Sequence, residues 1–514
     1  MPSHTLIPFP PELLAAKKQI REQARSYGLD FYPTIFEMCD YETMNQIAAF
    51  GGFPQRYPHW RWGMEYERLR KQHFYGLGRI YEMVINNDPC YAYLQESNAL
   101  VDQKLVIAHV YGHCDFFKNN AWFGQTNRKM MDEMANHATR VRKHAERHGY
   151  DAVERWMDIC LTLEDLIDPY SVFMKRQPTA GSQPPAAAEG REEKGTSRFA
   201  AKDYMERYIN PPAAMEAADR KRRDAAAKAR VADPPKPQRD VLLYLLEHAK
   251  LEDWQIDCLA IVREEAYYFA PQGMTKVMNE GWATYWHSKL MTTHFLESAE
   301  VVDYADHHSG TVHMPPGGFN PYKIGVEMFR DIEDRWNKGK FGDAYDRADG
   351  LGERKRWDKG LGLGREKIFE VRRLYNDVMF IDEFMTPEFI ERHRYYQYGK
   401  DPHTGQLRIV SRDPRRIKQA LLYRLTNLGR PLIYVVDGNY ANRGELYLAH
   451  QHTGLDIEIK FAQETLKNLH AIWRRPCHLQ ARIDEETMLF TFDGEQSKQQ
   501  AIRDDTPRPA HTVG

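Results

Sequence analysis

This chain lacks paired cysteines. Cys39, Cys90, Cys114, Cys160, Cys258 and Cys477 stand alone with no Cys-x-x-Cys among them, which excludes a thiolate zinc knuckle and suits a reducing compartment. It lacks any run of ~18 apolar residues, so no membrane span is expected. Its first thirty residues lack a basic stretch followed by a long apolar one, so the expected location is cytoplasmic. Net charge is nearly absent as well. With 71 Lys and Arg against 73 Asp and Glu the chain carries −2, which argues against nucleic acid as a partner. No Glu-x-x-His occurs, which disfavours a carboxylate-bridged di-iron bundle.

What is present is core-forming material. The 514 residues include 42% hydrophobic and 12% aromatic side chains, enough for two or three domains. The expected class is α+β: a large, mainly helical N-terminal domain over residues 1–174 and 239–400, and a small C-terminal α+β domain over 405–498. Between the two halves of the helical domain, residues 175–238 turn to Pro, Ala, Gly, Ser and mixed charge without apolar periodicity. They read as a flexible insertion with a short helix around Ala213–Ala229, and residues 499–514 read as a frayed polar tail.

Along the helical domain, a Pro-rich lead-in opens a helix near Pro11–Tyr27. Residues 31–98 read as mostly helical, the first helix ending at Gly51-Gly52. Tyr57, His59, Trp60 and Trp62 in the next loop either wall a pocket or pack the loop down. An Asn-Asn-Asp-Pro turn then joins two extended runs beginning near Ile80. Gln125–Gly149 reads as a polar helix whose His144 and His148 sit at a solvated end, and Asp151–Met174 as a further helix. VVDYADHHSGTVHMPPGGFNPYKIG reads as a loop. From Leu407 the pattern strand, helix, strand pair, strand, helix, hairpin suggests a sandwich of ferredoxin-like texture, an accessory or partner-binding module.

The chemistry is concentrated on two apolar helices. In LVIAHVYGHCDFFKNN, Leu105 to Asn120, His109 and His113 are one turn apart on one face, a spacing at which two imidazoles share a metal ion. In MTKVMNEGWATYWHSKLM, Glu280 and His287 share a face, and Gly281 inside the helix signals a close backbone approach. A third helix carries Asp257, Glu264 and Glu265 on an apolar stripe, where a metal, a histidine or Arg263 must neutralise them. Lys118, Asn119 and Asn120 after the histidine helix, and His313 in the later loop, are candidate substrate-binding residues; the first three would otherwise simply end the helix.

The run Asn279–Ala283, N-E-G-W-A, resembles the N-E-G segment of the gluzincin metallopeptidases. That resemblance implies His109, His113 and Glu280 as ligands of a catalytic zinc with an open position for water. The gluzincin motif is H-E-x-x-H, with its Glu as general base, and here Val110 stands at that position. Peptide hydrolysis by that route is therefore in doubt, and Glu265, Glu264, Glu65 or His287 would have to serve.

Across the chain HVYGHCDFFKNN, MNEGWATYWH, NPYKIGVEMFRDIE and IDEFMTPEF together resemble the stage V sporulation protein R (SpoVR) family. The resemblance implies a cytosolic bacterial protein tied to spore cortex peptidoglycan or to stress physiology, without an agreed activity. Three readings stay open: a zinc hydrolase acting on a peptide or peptidoglycan precursor; a non-haem iron enzyme, since two His and one carboxylate also suit Fe(II); and a non-catalytic scaffold with a degenerate peptidase-like core.

Overall fold

The computed structural model describes residues 7–74, 82–174, 233–348, 350–401 and 403–502. The chain divides into two units, Met1–Ile167 with Leu251–Pro431, and Asp168–Lys250 with Leu432–Gly514. The expected α+β class holds. The sequence boundaries at 174, 239 and 405 are displaced. Most of the insertion (175–232), the helix expected around Ala213–Ala229, the start of the first extended run (75–81) and the end of the tail (503–514) lie outside the described residues.

The first unit is mainly helical. After α1 (Pro11–Ser26) comes a strand where a helix was expected: β1 (Thr34–Cys39) runs parallel to β3 (Cys90–Gln95), which pairs antiparallel with β2 (Glu82–Ile85). Thr34, Ile35 and Phe36 suit a pleated surface better than a helix. The helix begins only at α2 (Tyr41–Ala49), where the Asp40 carboxylate accepts from Thr43 N at 2.7 Å, and it stops before Gly51 and Gly52 at φ +71° and +99°. Next come α3 (Trp60–Phe74), α4 (Leu100–Asn119), α5 (Met130–His148) and α6 (Tyr150–Thr162). The helix expected to reach Met174 thus ends at Thr162, a few residues before Pro169.

After the break the unit continues with α7 (Asp253–Met274), α8 (Lys276–Leu290), α9 (Val301–Thr311) and α10 (Pro321–Lys338). Helix α9 corrects the expected loop. VVDYADHHS contains no breaker, and the Pro and Gly residues that stop it cluster only at Pro315–Gly318. Short helices α11 (Gly364–Leu374), α12 (Asp377–Phe384) and α13 (Pro387–Arg392), a hairpin of β4 (Gln397–Lys400) and β5 (Leu407–Ser411), and α14 (Pro414–Leu425) close the unit.

Helices α4 and α8 are its axis. Every residue from Val101 to Phe117 except Leu105, and every residue from Val277 to Ser288, is buried. A helix apolar all round lies inside, not on a face. They approach closely because Gly112 opposes Ala283: a Cβ on Gly112 would lie 2.7 Å from Ala283 Cα. On its other side Gly281 abuts the backbone of Gly325 in α10, with no room for a Cβ on either. Trp282 packs on Phe329 and Phe369 at centroid distances of 5.2 and 5.1 Å, and its Nε1 donates to Asp115 Oδ2 at 2.8 Å. The N-terminus of α8 is capped from outside: Asp377 accepts from Val277 N at 2.8 Å and Met278 N at 2.9 Å.

The second unit holds a five-stranded sheet in the order β10 (Ser497–Ala501), β9 (Glu486–Phe492), β8 (Cys477–Ile483), β7 (Glu445–Gln451), β6 (Leu432–Tyr440). Only β7 and β8 are parallel, joined through the helix Ile459–Trp473. The helix Val241–His248, expected in the N-terminal domain, belongs here, its Tyr244 ring stacked on Trp473 at 5.9 Å. The expected ferredoxin-like order is also revised: Leu407–Ser411 and α14 fall in the first unit, and Ser497–Ala501, which runs into the expected tail, is a paired edge strand.

Gly281→Ala tests the central crossing. Helix propensity alone predicts stabilisation by ~1 kcal/mol, whereas overpacking predicts destabilisation by about 1–3 kcal/mol. Chemical denaturation is expected to show the loss; a more stable variant would mean the helices are not in backbone contact.

Candidate metal centre

The packing of α4 against α8 brings His109, His113 and Glu280 together, all buried, with one ligand-type atom from each lying within 4.8 Å of the others. Glu280 Oε2 is 3.6 Å from His109 Nε2 and 3.4 Å from His113 Nε2. Those separations exceed the 2.7–3.2 Å of a good N–H···O bond, and Glu280 Oε2 has no hydrogen-bond partner among the described residues. They match instead the spacing of about 3.3 Å between two ligands held tetrahedrally at ~2.0–2.1 Å from one zinc ion. Lys276 Nζ donates to Glu280 Oε1 at 2.5 Å, leaving Oε2 turned to the imidazoles.

The outer atoms orient these ligands. His113 Nδ1 lies 2.9 Å from Asn279 Oδ1. An amide oxygen only accepts, so Nδ1 carries the proton and the Nε2 lone pair faces Glu280. His109 Nδ1 lies 2.8 Å from His287 Nδ1, and His287 Nε2 lies 3.2 Å from His308 Nδ1. Donation along this row, from His109 to His287 to His308, leaves the His109 Nε2 lone pair facing Glu280 too. Burial, followed by the neighbouring His109, drives the His287 pKa well below its usual value, so His287 is neutral. Tyr322 stacks on the His109 ring at 6.1 Å. The residues meet the requirements of a three-ligand metal site with supported imidazoles.

The other sequence candidates have different places. His287 stands behind His109, not beside Glu280. Glu264 and Glu265 on α7 flank His137 of α5: Glu265 Oε1 lies 3.0 Å from Nδ1 and Glu264 Oε2 lies 3.3 Å from Nε2. Arg56 pairs with Glu265 at 2.6 Å, and Asp257 with Arg140 and His144. Arg263 instead lies over Tyr267 at 4.7 Å. The stripe on α7 is thus neutralised by histidines and arginines of other segments, and His144 is a pairing residue, not a free helix end. Glu65 pairs with Arg68. Lys118 pairs with Asp30 at 2.6 Å, Asn119 Nδ2 donates to the carbonyls of Asp30 and Asp115 at 2.7 Å each, and Asn120 Nδ2 donates to that of Arg372 at 2.8 Å. These three tie down the end of α4. The exposed His313 is anchored through its carbonyl by Asn320 Nδ2 at 2.8 Å.

Sequence reasoning overlooked Asn279, Tyr322 and Lys276 at the centre, and His137 elsewhere. Asn279 and Tyr322 sit inside the quoted N-E-G and N-P-Y-K motifs, adjacent to residues already singled out. Glu133 and His137, one turn apart on α5, form with Glu264 a second group of ligand type.

His137 generates a pH prediction. Burial opposes its charge, but Glu264 and Glu265 prevail and raise its pKa to about 9. A histidine pKa raised on folding stabilises fully below the unfolded value of ~6.5 and loses that contribution as pH rises toward 9. The melting temperature of His137→Gln should therefore fall below wild type by a constant amount under pH 6.5, the gap narrowing from there to pH 9. A gap that widens with pH would contradict the assignment.

Two comparisons find relatives of this chain. Residues 10–430 match the family described as SpoVR like protein, a stretch that contains all three ligand-type residues. The chain is 32% identical over 482 residues to the uncharacterized protein YcgB of Escherichia coli (strain K12), covering 88% of this chain and 89% of that one. No solved structure matches it. The chain belongs to the SpoVR family.

Proposed function

We propose that this chain is a metal-dependent enzyme of hydrolase type, with one divalent ion, zinc by preference, held by His109, His113 and Glu280. The observation that carries the reading is the buried Glu280 Oε2, without a hydrogen-bond partner among the described residues and 3.6 and 3.4 Å from two imidazole nitrogens whose other ring nitrogens are held. A bound divalent ion supplies Lewis acidity and brings water in an open position to a pKa of about 7. The chain's own part is orientation. Asn279 and His287 fix the two rings, Lys276 turns Glu280, and the row of His287 and His308 leads from the buried His109 to a half-buried ring. His287 and His308 are the imidazoles connected to the centre through His109; Glu264 and Glu265 are engaged with His137. Family membership supports a peptide or peptidoglycan precursor as substrate and a cytoplasmic setting. Among the described residues, no helix is long and apolar enough to cross a membrane.

A second reading draws on Val110, fully buried where gluzincins carry their general base. It takes the ion as a regulatory or structural element of a scaffold, its partner bound through the C-terminal unit. Iron in place of zinc is compatible with the same three ligands.

Elemental analysis separates these readings from a metal-free core. The protein is expected to hold about one equivalent of zinc or iron, and His109→Ala and Glu280→Gln to lose it while keeping their helical circular dichroism. Ligand binding stabilises the native state, by ~2.7 kcal/mol at a hundredfold excess over Kd, so chelation should lower the melting temperature of wild type and leave Glu280→Gln unmoved. Because the ligand atoms must be deprotonated to bind, loading should weaken as pH falls. Protein that stays metal-free after zinc and iron are added back would overturn the proposal.

A further inference from the structure

The Pro-Pro-Gly-Gly turn and Lys323 of the N-P-Y-K start of α10 take no part in the metal centre. They form a wall of a separate cavity of about 360 Å³ in the first unit, whose far side comes from the segment after α13, from β4 and from α14. The volume falls at the small end of the range for small-molecule sites, ~300–1,000 Å³.

Its electrostatics are one-sided. Lys323, Arg394 and Arg424 line it, and no carboxylate does. None of the three has an ion-pair partner among the described residues. This is unusual for a chain whose acids outnumber its bases, 73 to 71. Glu327, the acid that pairs with the lining residue His393 at 3.8 Å, is outside the lining. Arg424 is preset: its guanidinium lies over the Phe319 ring at 4.4 Å. Three uncompensated cations around one concavity focus positive potential on it.

A second observation points the same way. Tyr395, also in the lining, is 7% exposed, and its buried hydroxyl has no hydrogen-bond partner among the described residues. Burial, reinforced by Glu327, raises its pKa, so it remains a donor. An unsatisfied buried hydroxyl is costly unless something accepts from it. Beside it the half-buried Tyr396 and Tyr398 offer flat surfaces, and Gly317, at φ +73°, lets the turn approach Tyr398: a Cβ there would lie 3.3 Å from the Tyr398 Cβ. Backbone strain is present too, with Arg394 at φ +54°.

We propose that this cavity binds a phosphorylated ligand bearing a flat ring, of nucleoside monophosphate size. Lys323, Arg394 and Arg424 receive the phosphate, Tyr395 donates to it, and Tyr396 and Tyr398 meet the ring. The first turn of α10 serves both sites, since Tyr322 stacks on His109 while Lys323 lines the cavity.

The test reads binding, so it stands apart from metal content. Full-length protein is titrated calorimetrically with AMP, UMP, adenosine and inorganic phosphate. Saturable binding of a nucleotide, one per chain, is expected, with adenosine and phosphate each at least tenfold weaker. A Lys323→Ala/Arg424→Ala double variant should lose about 100-fold in affinity, charged hydrogen bonds being the stronger kind. Tyr395→Phe should bind severalfold more weakly with a melting temperature no lower than wild type, since the hydroxyl removed is buried and unpaired. Absence of binding by both nucleotides, adenosine binding as tightly as AMP, or an unaffected double variant that retains its circular dichroism would each overturn it.

Discussion

A carboxylate buried between two imidazoles needs positive charge nearby, and much of the first unit can be understood from how Glu280 meets that need. Removing an ionised carboxylate from water costs several kcal/mol unless it is paired. Lys276 satisfies one oxygen. The other faces His109 and His113 at distances too long for strong hydrogen bonds and well suited to two ligands of a common ion. Because the remaining ring nitrogens are held by Asn279 and His287, the imidazoles cannot rotate to shorten those contacts without breaking others. Such pre-orientation is what a metal site requires of its surroundings.

Helix proximity is the means by which the fold meets this constraint. The three groups converge only because α4 and α8 are nearly in backbone contact at Gly112 and Ala283, and α8 is backed in the same way by α10 at Gly281 and Gly325. Trp282 and Trp286 fill the adjoining space, fully buried. The hydrogen bond from Trp282 to Asp115 and the capping of α8 by Asp377 satisfy polar groups that this depth would otherwise strand. Glycine at the crossings and large aromatics beside them are two halves of one packing solution.

The centre was legible in the sequence because its signals are local. His109 and His113 are one turn apart, Glu280 lies on a second apolar helix, and Gly281 marks a close approach, which is made to Gly325 of α10. The partners of the α7 stripe were not legible: which cations meet Asp257, Glu264 and Glu265 depends on α5 and Arg56, far away in the chain. The same holds for Lys118, Asn119 and Asn120, whose polar atoms look free in the sequence but meet Asp30, Asp115 and Arg372 in the fold. Of the secondary structure, α9 was hidden by its histidines and β1 by its helical neighbour, while the assignment of Leu407–Leu425 to the first unit rests on tertiary contacts without a local signature.

The most direct test of the central claim is X-ray absorption spectroscopy at the metal edge of the zinc-loaded protein. Two imidazoles and otherwise oxygen in the first coordination shell, with one imidazole lost in His113→Ala, is the predicted result. Sulfur scatterers, or a spectrum that His113→Ala leaves unchanged, would contradict it and place the ion elsewhere.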